Sequence, residues 1–109
     1  MRIKALIVAL LLCQVMPAHS SSGWSGKTVQ YLQPDGTNAD CYYFTLNGVS
    51  QADPVNPGSP WFGVSRTAHP GAKELFAVLL AARLTGTPIN VNTTGSLECG
   101  YAGVYYTLM

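Results

Sequence analysis

Cys41 and Cys99 constrain this chain more than any other pair of residues, because they are the two cysteines left once a removable N-terminal segment is set aside. Arg2 and Lys4 precede an unbroken apolar run over residues 5–13, and a small-residue exit follows at Ala18-His19-Ser20. The run is shorter than the ~20 residues a bilayer-spanning helix needs, so the pattern predicts a signal peptide over residues 1–20 that is cut off rather than kept as an anchor. Leu12 is larger than the residue that normally precedes an acylated cysteine, so Cys13 is expected to leave with the signal. The exported remainder, residues 21–109, is then secreted or periplasmic, with no membrane association after cleavage. There thiols are oxidised, and Cys41 and Cys99 are expected to pair. A single domain of this size builds a core of only marginal stability. A bond closing so long a loop is worth about 4 kcal/mol on the chain-entropy model, comparable with the net stability of a small domain.

The apolar pattern predicts a mainly β domain with one α-helix. Residues 24–32 read as a first strand, with Lys27-Thr28-Val29-Gln30-Tyr31 alternating in polarity before Pro34-Asp35-Gly36 turns the chain. Residues 41–46 crowd aromatic and β-branched side chains into a short run that ends at Asn47-Gly48, with Tyr42, Phe44 and Leu46 on one face and Cys41, Tyr43 and Thr45 on the other. Three prolines at 54, 57 and 60 make residues 51–60 a surface loop, and residues 61–64 a short third strand. Pro70-Gly71 opens a helix over residues 72–85 that closes at Gly86 with Pro88 beyond. On a wheel, Val78, Ala82, Leu75, Leu79, Phe76, Leu80 and Leu84 cover roughly two-thirds of its circumference, more than the ~100° stripe of a one-sided surface helix. Residues 89–92 read as a fourth strand, Thr93-Thr94-Gly95 as a turn, and residues 104–108 as a fifth. The order β-β-β-α-β-β is that of an OB-fold-like five-stranded barrel, with a β-sheet crossed by one packed helix as the main alternative. One domain over residues 21–109 follows.

Charge excludes some partners. The exported part carries Lys27, Arg66, Lys73 and Arg83 against Asp35, Asp40, Asp53, Glu74 and Glu98, a net charge near −1. Without clustered Lys and Arg there is nothing to neutralise a run of phosphates, so nucleic acid is not expected as a partner. Catalytic patterns are thin as well. His69 is the one histidine left after processing, and it sits in a turn before Pro70 with no Gly-x-Ser-x-Gly elbow in the chain. A small hydrolase centred on His69 is the weakest of three readings. No ligand set suggests a metal, and no glycine-rich loop suggests a nucleotide cofactor.

All eleven aromatic residues lie in the exported part, among many Thr, Ser, Asn and Gly, a mixture that suits a wet and adaptable binding face. Tyr43, Thr45 and Trp61 fall on or near strands two and three, the face on which OB barrels take ligands, and Arg66 follows closely; the same pattern equally fits Trp61 as a core ring and Arg66 as a solvated rim residue. Aromatic rings stack on the C–H face of sugars, while Arg66, Asn38 and Asp40 offer hydrogen bonds to hydroxyls or a carboxylate. The favoured function is therefore a non-catalytic binder of a glycan. A periplasmic protein-interaction or inhibitor protein, docking through the aromatic face or the proline loop, is the alternative.

The stretch 73–91, an Ala/Leu helix ending at Gly86-Thr87-Pro88, is followed by Glu98-Cys99-Gly100-Tyr101 and a final aromatic strand. Together with the cysteine-bearing strand at 41–46 and the short Trp61 strand, this layout resembles small secreted bacterial OB-fold proteins akin to the B subunits of AB5 toxins, of the subtilase-cytotoxin and pertussis-like type. The resemblance covers residues 41–109. It implies a homo-oligomeric ring with helices facing a central pore, glycan binding on host cells, and a toxin A-type partner. It carries over no sugar-contacting residue.

Overall fold

The computed structural model describes residues 22–108, so the signal peptide expected over residues 1–20 lies outside the described residues. Their order is β1 (Gly23–Lys27), β2 (Val29–Pro34), β3 (Cys41–Leu46), β4 (Phe62–Ser65), α1 (Ala72–Thr85), β5 (Ile89–Glu98) and β6 (Tyr101–Leu108). The expected mainly β chain with one helix is present, but the sheet has six strands and does not close into a barrel. Its order is β1-β5-β6-β4-β3-β2, antiparallel throughout except for the parallel β4–β6 pair.

The sixth strand arises because the expected first strand breaks at Thr28. Its early half pairs with β5 and its later half with β3, while the Thr28 carbonyl accepts the Asn47 N–H at 2.9 Å. The two halves become the two edges of the sheet. With one residue between them, the end of β1 and the start of β2 lie close together at this corner. A second correction concerns residues 93–95, which were expected to turn the chain. They instead lie within β5, where the register with β6 slips between Asn92 and Leu97. The chain reverses later, at Cys99 and Gly100, whose φ values of 53° and 81° are those of a tight hairpin turn.

The concave side of the sheet holds the core. Tyr42, Phe44 and Leu46 of β3 are fully buried beside Phe62, Val64, Ile89, Val91 and Ala102, and the Phe44 and Phe62 rings stack with centroids 4.7 Å apart. Each of the buried Phe, Leu, Ile and Val side chains contributes roughly 1.5–3 kcal/mol by leaving water. Helix α1 closes the core with Ala72, Leu75, Leu79 and Ala82, and ends as expected on left-handed Gly86, whose N–H bonds the Ala82 carbonyl. Tyr42 locks the helix in place by donating its hydroxyl to the Ala72 carbonyl at 2.6 Å. The buried face is narrower than the apolar arc, since Leu80 is 41% and Leu84 73% exposed.

The proline-rich segment 51–60 is a loop, but a tightly sewn one. Ala52 and Asp53 are fully buried. The Ala52 carbonyl accepts the Trp24 indole N–H at 2.8 Å, and the Asp53 carboxylate accepts the Val55 N–H at 2.8 Å and the Thr93 hydroxyl.

Cys41 and Cys99 are bonded, with Cα atoms 6.1 Å apart across 58 positions. The bond joins the start of β3 to the tip of the β5–β6 hairpin. It also holds Cys99 at a positive φ that an L side chain rarely adopts. Replacing both cysteines with serine should cost about 4 kcal/mol and lower the thermal midpoint by on the order of 15–30 °C. In that background, changing position 99 to asparagine, which tolerates this backbone better than serine, should recover part of the loss. Thermal melts of the two double variants check both statements.

Candidate functional site

The outer face of the sheet is built by strand periodicity. In β2, Tyr31 and Gln33 point the same way, and Asp35 continues the same spacing just beyond the strand. Opposite them, Thr45 pairs with Tyr31 and Tyr43 pairs with Gln33. Successive residues of a strand alternate faces, so the burial of Tyr42, Phe44 and Leu46 sends Tyr43 and Thr45 outward.

What turns this face into a cleft is the β5–β6 hairpin tip, which folds over it at Gly63. Gly63 lies in the ladder between Tyr43 of β3 and Gly103 of β6. A Cβ at Gly63 would collide with the Glu98 carbonyl oxygen and lie 3.3 Å from the Tyr101 Cβ. The missing side chain lets the tip lie flat on the sheet and brings Tyr101 edge-on to Tyr43, with centroids 5.1 Å apart. Tyr101 then neighbours Trp61 at 6.5 Å, and Trp61 stacks on Tyr31 at 6.3 Å. Four rings, from β2, β3, the approach to β4, and β6, run in a row. Beside them opens a cleft of about 300 Å³ lined by Gln33, Pro34, Asp35, Gly36, Tyr43, Trp61 and Tyr101.

Asp35 is the charged group of the cleft. Its Oδ1 accepts the Thr37 N–H, the Thr37 hydroxyl and the Asn38 N–H at 2.8, 2.8 and 3.1 Å, and its Oδ2 accepts the Tyr43 hydroxyl at 2.7 Å. The Tyr43 hydrogen bond first, and those from Thr37 next, hold the carboxyl at about 2. The same contact pushes the Tyr43 phenol up to about 12, since its proton is shared with an anion.

Of the six residues expected at the site, Tyr43 and Trp61 line the cleft. Thr45 is 2% exposed, and its hydroxyl accepts the Tyr31 N–H at 3.2 Å, where it secures β2 against β3. Asn38, Asp40 and Arg66 gather elsewhere, around the start of β3. The Asp40 carboxylate accepts the Ser65 hydroxyl at 2.6 Å and the Thr67 N–H at 2.8 Å, bonds that lower its pKa. Asn38 donates to the Cys41 sulfur at 3.4 Å. Arg66 donates to the Ala39 carbonyl at 2.7 Å, with its guanidinium 5.1 Å from the Tyr42 ring centroid and 5.8 Å from that of Phe76. Burial raises the Tyr42 pKa strongly, an effect that Arg66 opposes. These three residues brace the β3–β4 and helix junction.

Asp40 and the two cysteine sulfurs lie within 4.8 Å of one another, but the sulfurs are bonded to each other and offer no thiolate to a metal. The His69 ring contacts the Val104 carbonyl through Nε2 at 3.1 Å, while its buried Nδ1 has no hydrogen-bond partner. Among the described residues no serine or threonine hydroxyl is hydrogen-bonded to that ring.

Tyr31, Gln33 and Tyr101 were not singled out from the sequence, and Asp35 was read there only as a turn residue, although a signal for Tyr101 was present. Tyr43 follows Cys41 by two residues and Tyr101 follows Cys99 by two, so pairing the cysteines brings the two rings toward one face. Compared with known protein families, curated proteins and solved structures, the chain matches none.

The Asp35–Tyr43 bond has consequences at both ends of the pH scale. Asp35 is depressed below its ordinary value near 3.8, so its contribution to stability is present above about 4 and is lost as pH falls toward about 2. Tyr43 is raised from 10.0, so its contribution is complete below about 10 and is lost as pH rises through about 12. Ultraviolet titration of the phenols should show one tyrosine ionising near 12. In Asp35→Asn that ionisation should return toward 10. A titration unchanged by the substitution would show that Asp35 does not hold the Tyr43 proton.

Proposed function

We propose that this chain is an exported, non-catalytic binding module that takes a carbohydrate in the cleft between Tyr43, Trp61 and Tyr101. The observation that carries the reading is the row of four rings beside a carboxylate and a carboxamide. Aromatic faces are electron-rich and suit the weakly positive C–H face of a pyranose, while Asp35 and Gln33 suit its hydroxyls. Export is supported by the Cys41–Cys99 bond, which persists in oxidising compartments. No helix among the described residues is long and apolar enough to cross a membrane.

An OB-type architecture belongs to the same reading. Counting β1 and β2 as one strand bent at Thr28 leaves five strands, with the helix between the third and fourth, and the OB-fold is a partly open five-stranded barrel. Self-association is supported by α1, where Leu80 and Leu84 stand exposed beside exposed Ala77 and Ala81. A ring of copies and an A-type toxin partner rest on the resemblance to B subunits.

Trp61→Ala should abolish glycan binding on an array or by titration calorimetry while the melting transition is kept. Loss of the fold in that variant would instead make Trp61 a core residue and end its role as a platform. For assembly, light scattering at micromolar concentration should give a mass above that of the monomer, and Leu80→Glu with Leu84→Glu should reduce it to the monomer. A monomeric wild-type protein would overturn the self-association reading.

A further inference from the structure

We propose that the cleft takes the uncharged end of a glycan and rejects acidic sugars, and that Asp35 is the residue that makes the distinction. This rests on the carbohydrate reading above and specifies the class of sugar. Among the described residues no lysine or arginine lines the cleft, and its one charged side chain is a carboxylate. Recognition of a carboxylated or sulfated sugar needs a cation or a cluster of N–H donors, and an arginine fork is the strongest form of it.

Arg66, the cation expected to meet such a group, is committed elsewhere. Its guanidinium donates to the Ala39 carbonyl and sits against the Tyr42 and Phe76 rings. Arg83 is likewise engaged, since its Nε donates to the Gln30 carbonyl at 3.1 Å.

Asp35 does not escape the conflict by taking up a proton, because Tyr43 and Thr37 hold it ionised down to about 2. Its two oxygens also differ in what they can still accept. Oδ1 already receives three donors, whereas Oδ2 receives only the Tyr43 hydroxyl. A carboxylate oxygen has two lone pairs, so Oδ2 has room for one further donor. A sugar hydroxyl supplies that donor. A sialic-acid carboxylate or a sulfate supplies only acceptors, and it brings a like charge next to Asp35. The ring faces act in the same sense, since their quadrupoles attract C–H groups and repel anions. The Gln33 amide can donate and accept in turn, which suits the two-way hydrogen bonding of hydroxyls.

The test is binding of the processed wild-type protein to an array of matched pairs, such as lactose with sialyllactose and N-acetyllactosamine with its sulfated form. Neutral members should bind better than their acidic counterparts by about fivefold or more, the effect of one like charge at roughly 4 Å in an aqueous dielectric. Asp35→Asn keeps the shape of the turn and should bring that ratio close to one, with the melting temperature as the check on folding. Equal or stronger binding of the acidic members by the wild-type protein overturns this inference and leaves the carbohydrate reading standing. A wild-type preference that persists unchanged in Asp35→Asn removes Asp35 from the role. If no neutral or acidic glycan binds, the carbohydrate reading fails and this inference with it.

Discussion

The Cys41–Cys99 bond fixes where the tip of the β5–β6 hairpin lies, and the cleft on the outer face exists only because the tip lies there. A free hairpin end carries little apolar burial of its own, and Leu97 beside the turn is 54% exposed. Besides the bond, the tip is held by the β4–β6 pairing at Ala102 and Gly103, by the Glu98 carboxylate, which accepts the Ser65 N–H at 2.9 Å, and by packing of Tyr101 on Tyr43. The cross-link removes the entropy of positioning that end from the folding balance. Gly63 makes the approach sterically open. Together the bond and the glycine convert a flat sheet face into a walled one.

Strand β3 is shared between the two sides of the sheet, and each side uses it differently. Its inward residues are fixed by stacking and by the Tyr42 hydroxyl, which ties the start of α1 to the sheet. Its outward residues therefore have a rigid base. The edges are secured separately. The buried Asp53 carboxylate bonds Thr93, the Thr93 hydroxyl accepts the Ser22 N–H at 2.7 Å, and the Thr93 N–H bonds the Ser22 carbonyl at 2.9 Å. This joins the proline segment to β5 and to the chain entering β1. A buried carboxylate left without such partners would be strongly destabilising, so these contacts offset a real desolvation cost.

Much of this was legible in the residues. The helix boundaries followed from Pro70-Gly71 and Gly86, because caps are decided by local backbone chemistry. The cysteine pairing and the inward set Tyr42, Phe44 and Leu46 were legible for similar reasons, one being arithmetic and the other alternation. The break at Thr28 was not, because the run around it alternates without interruption and the sheet's two edges compete for it. Nor was the length of β5, since Thr93-Thr94-Gly95 has turn-forming composition that strand pairing overrides. At the site, Tyr43 and Trp61 were legible as aromatics beside polar residues. Arg66, Asp40 and Asn38 were assigned there by closeness in sequence, but their hydrogen bonds to Ala39, Ser65, Thr67 and Cys41 spend them on the junction.

The two charges stand in different surroundings. The guanidinium of Arg66 is placed where aromatic rings and a carbonyl replace its hydration, so its charge works for the fold. Asp35 lies on the wall of a cleft whose other lining groups are neutral, so its charge faces whatever enters. Binding surfaces gain affinity when their groups are already ordered, because ordering a side chain on binding costs about 0.5–1.5 kcal/mol. Asp35 is ordered by four hydrogen bonds, Tyr43 by Asp35 and Tyr101, and Tyr101 by the tethered hairpin. Trp61 is the exception. It keeps wider spacings of 6.3 and 6.5 Å to the rings on either side, and a 3.3 Å bond from its backbone N–H to the Ser59 hydroxyl fixes its main chain rather than its ring. The arrangement is thus a polar wall ordered by hydrogen bonds, facing one ring that is held by ring contacts at wider spacing.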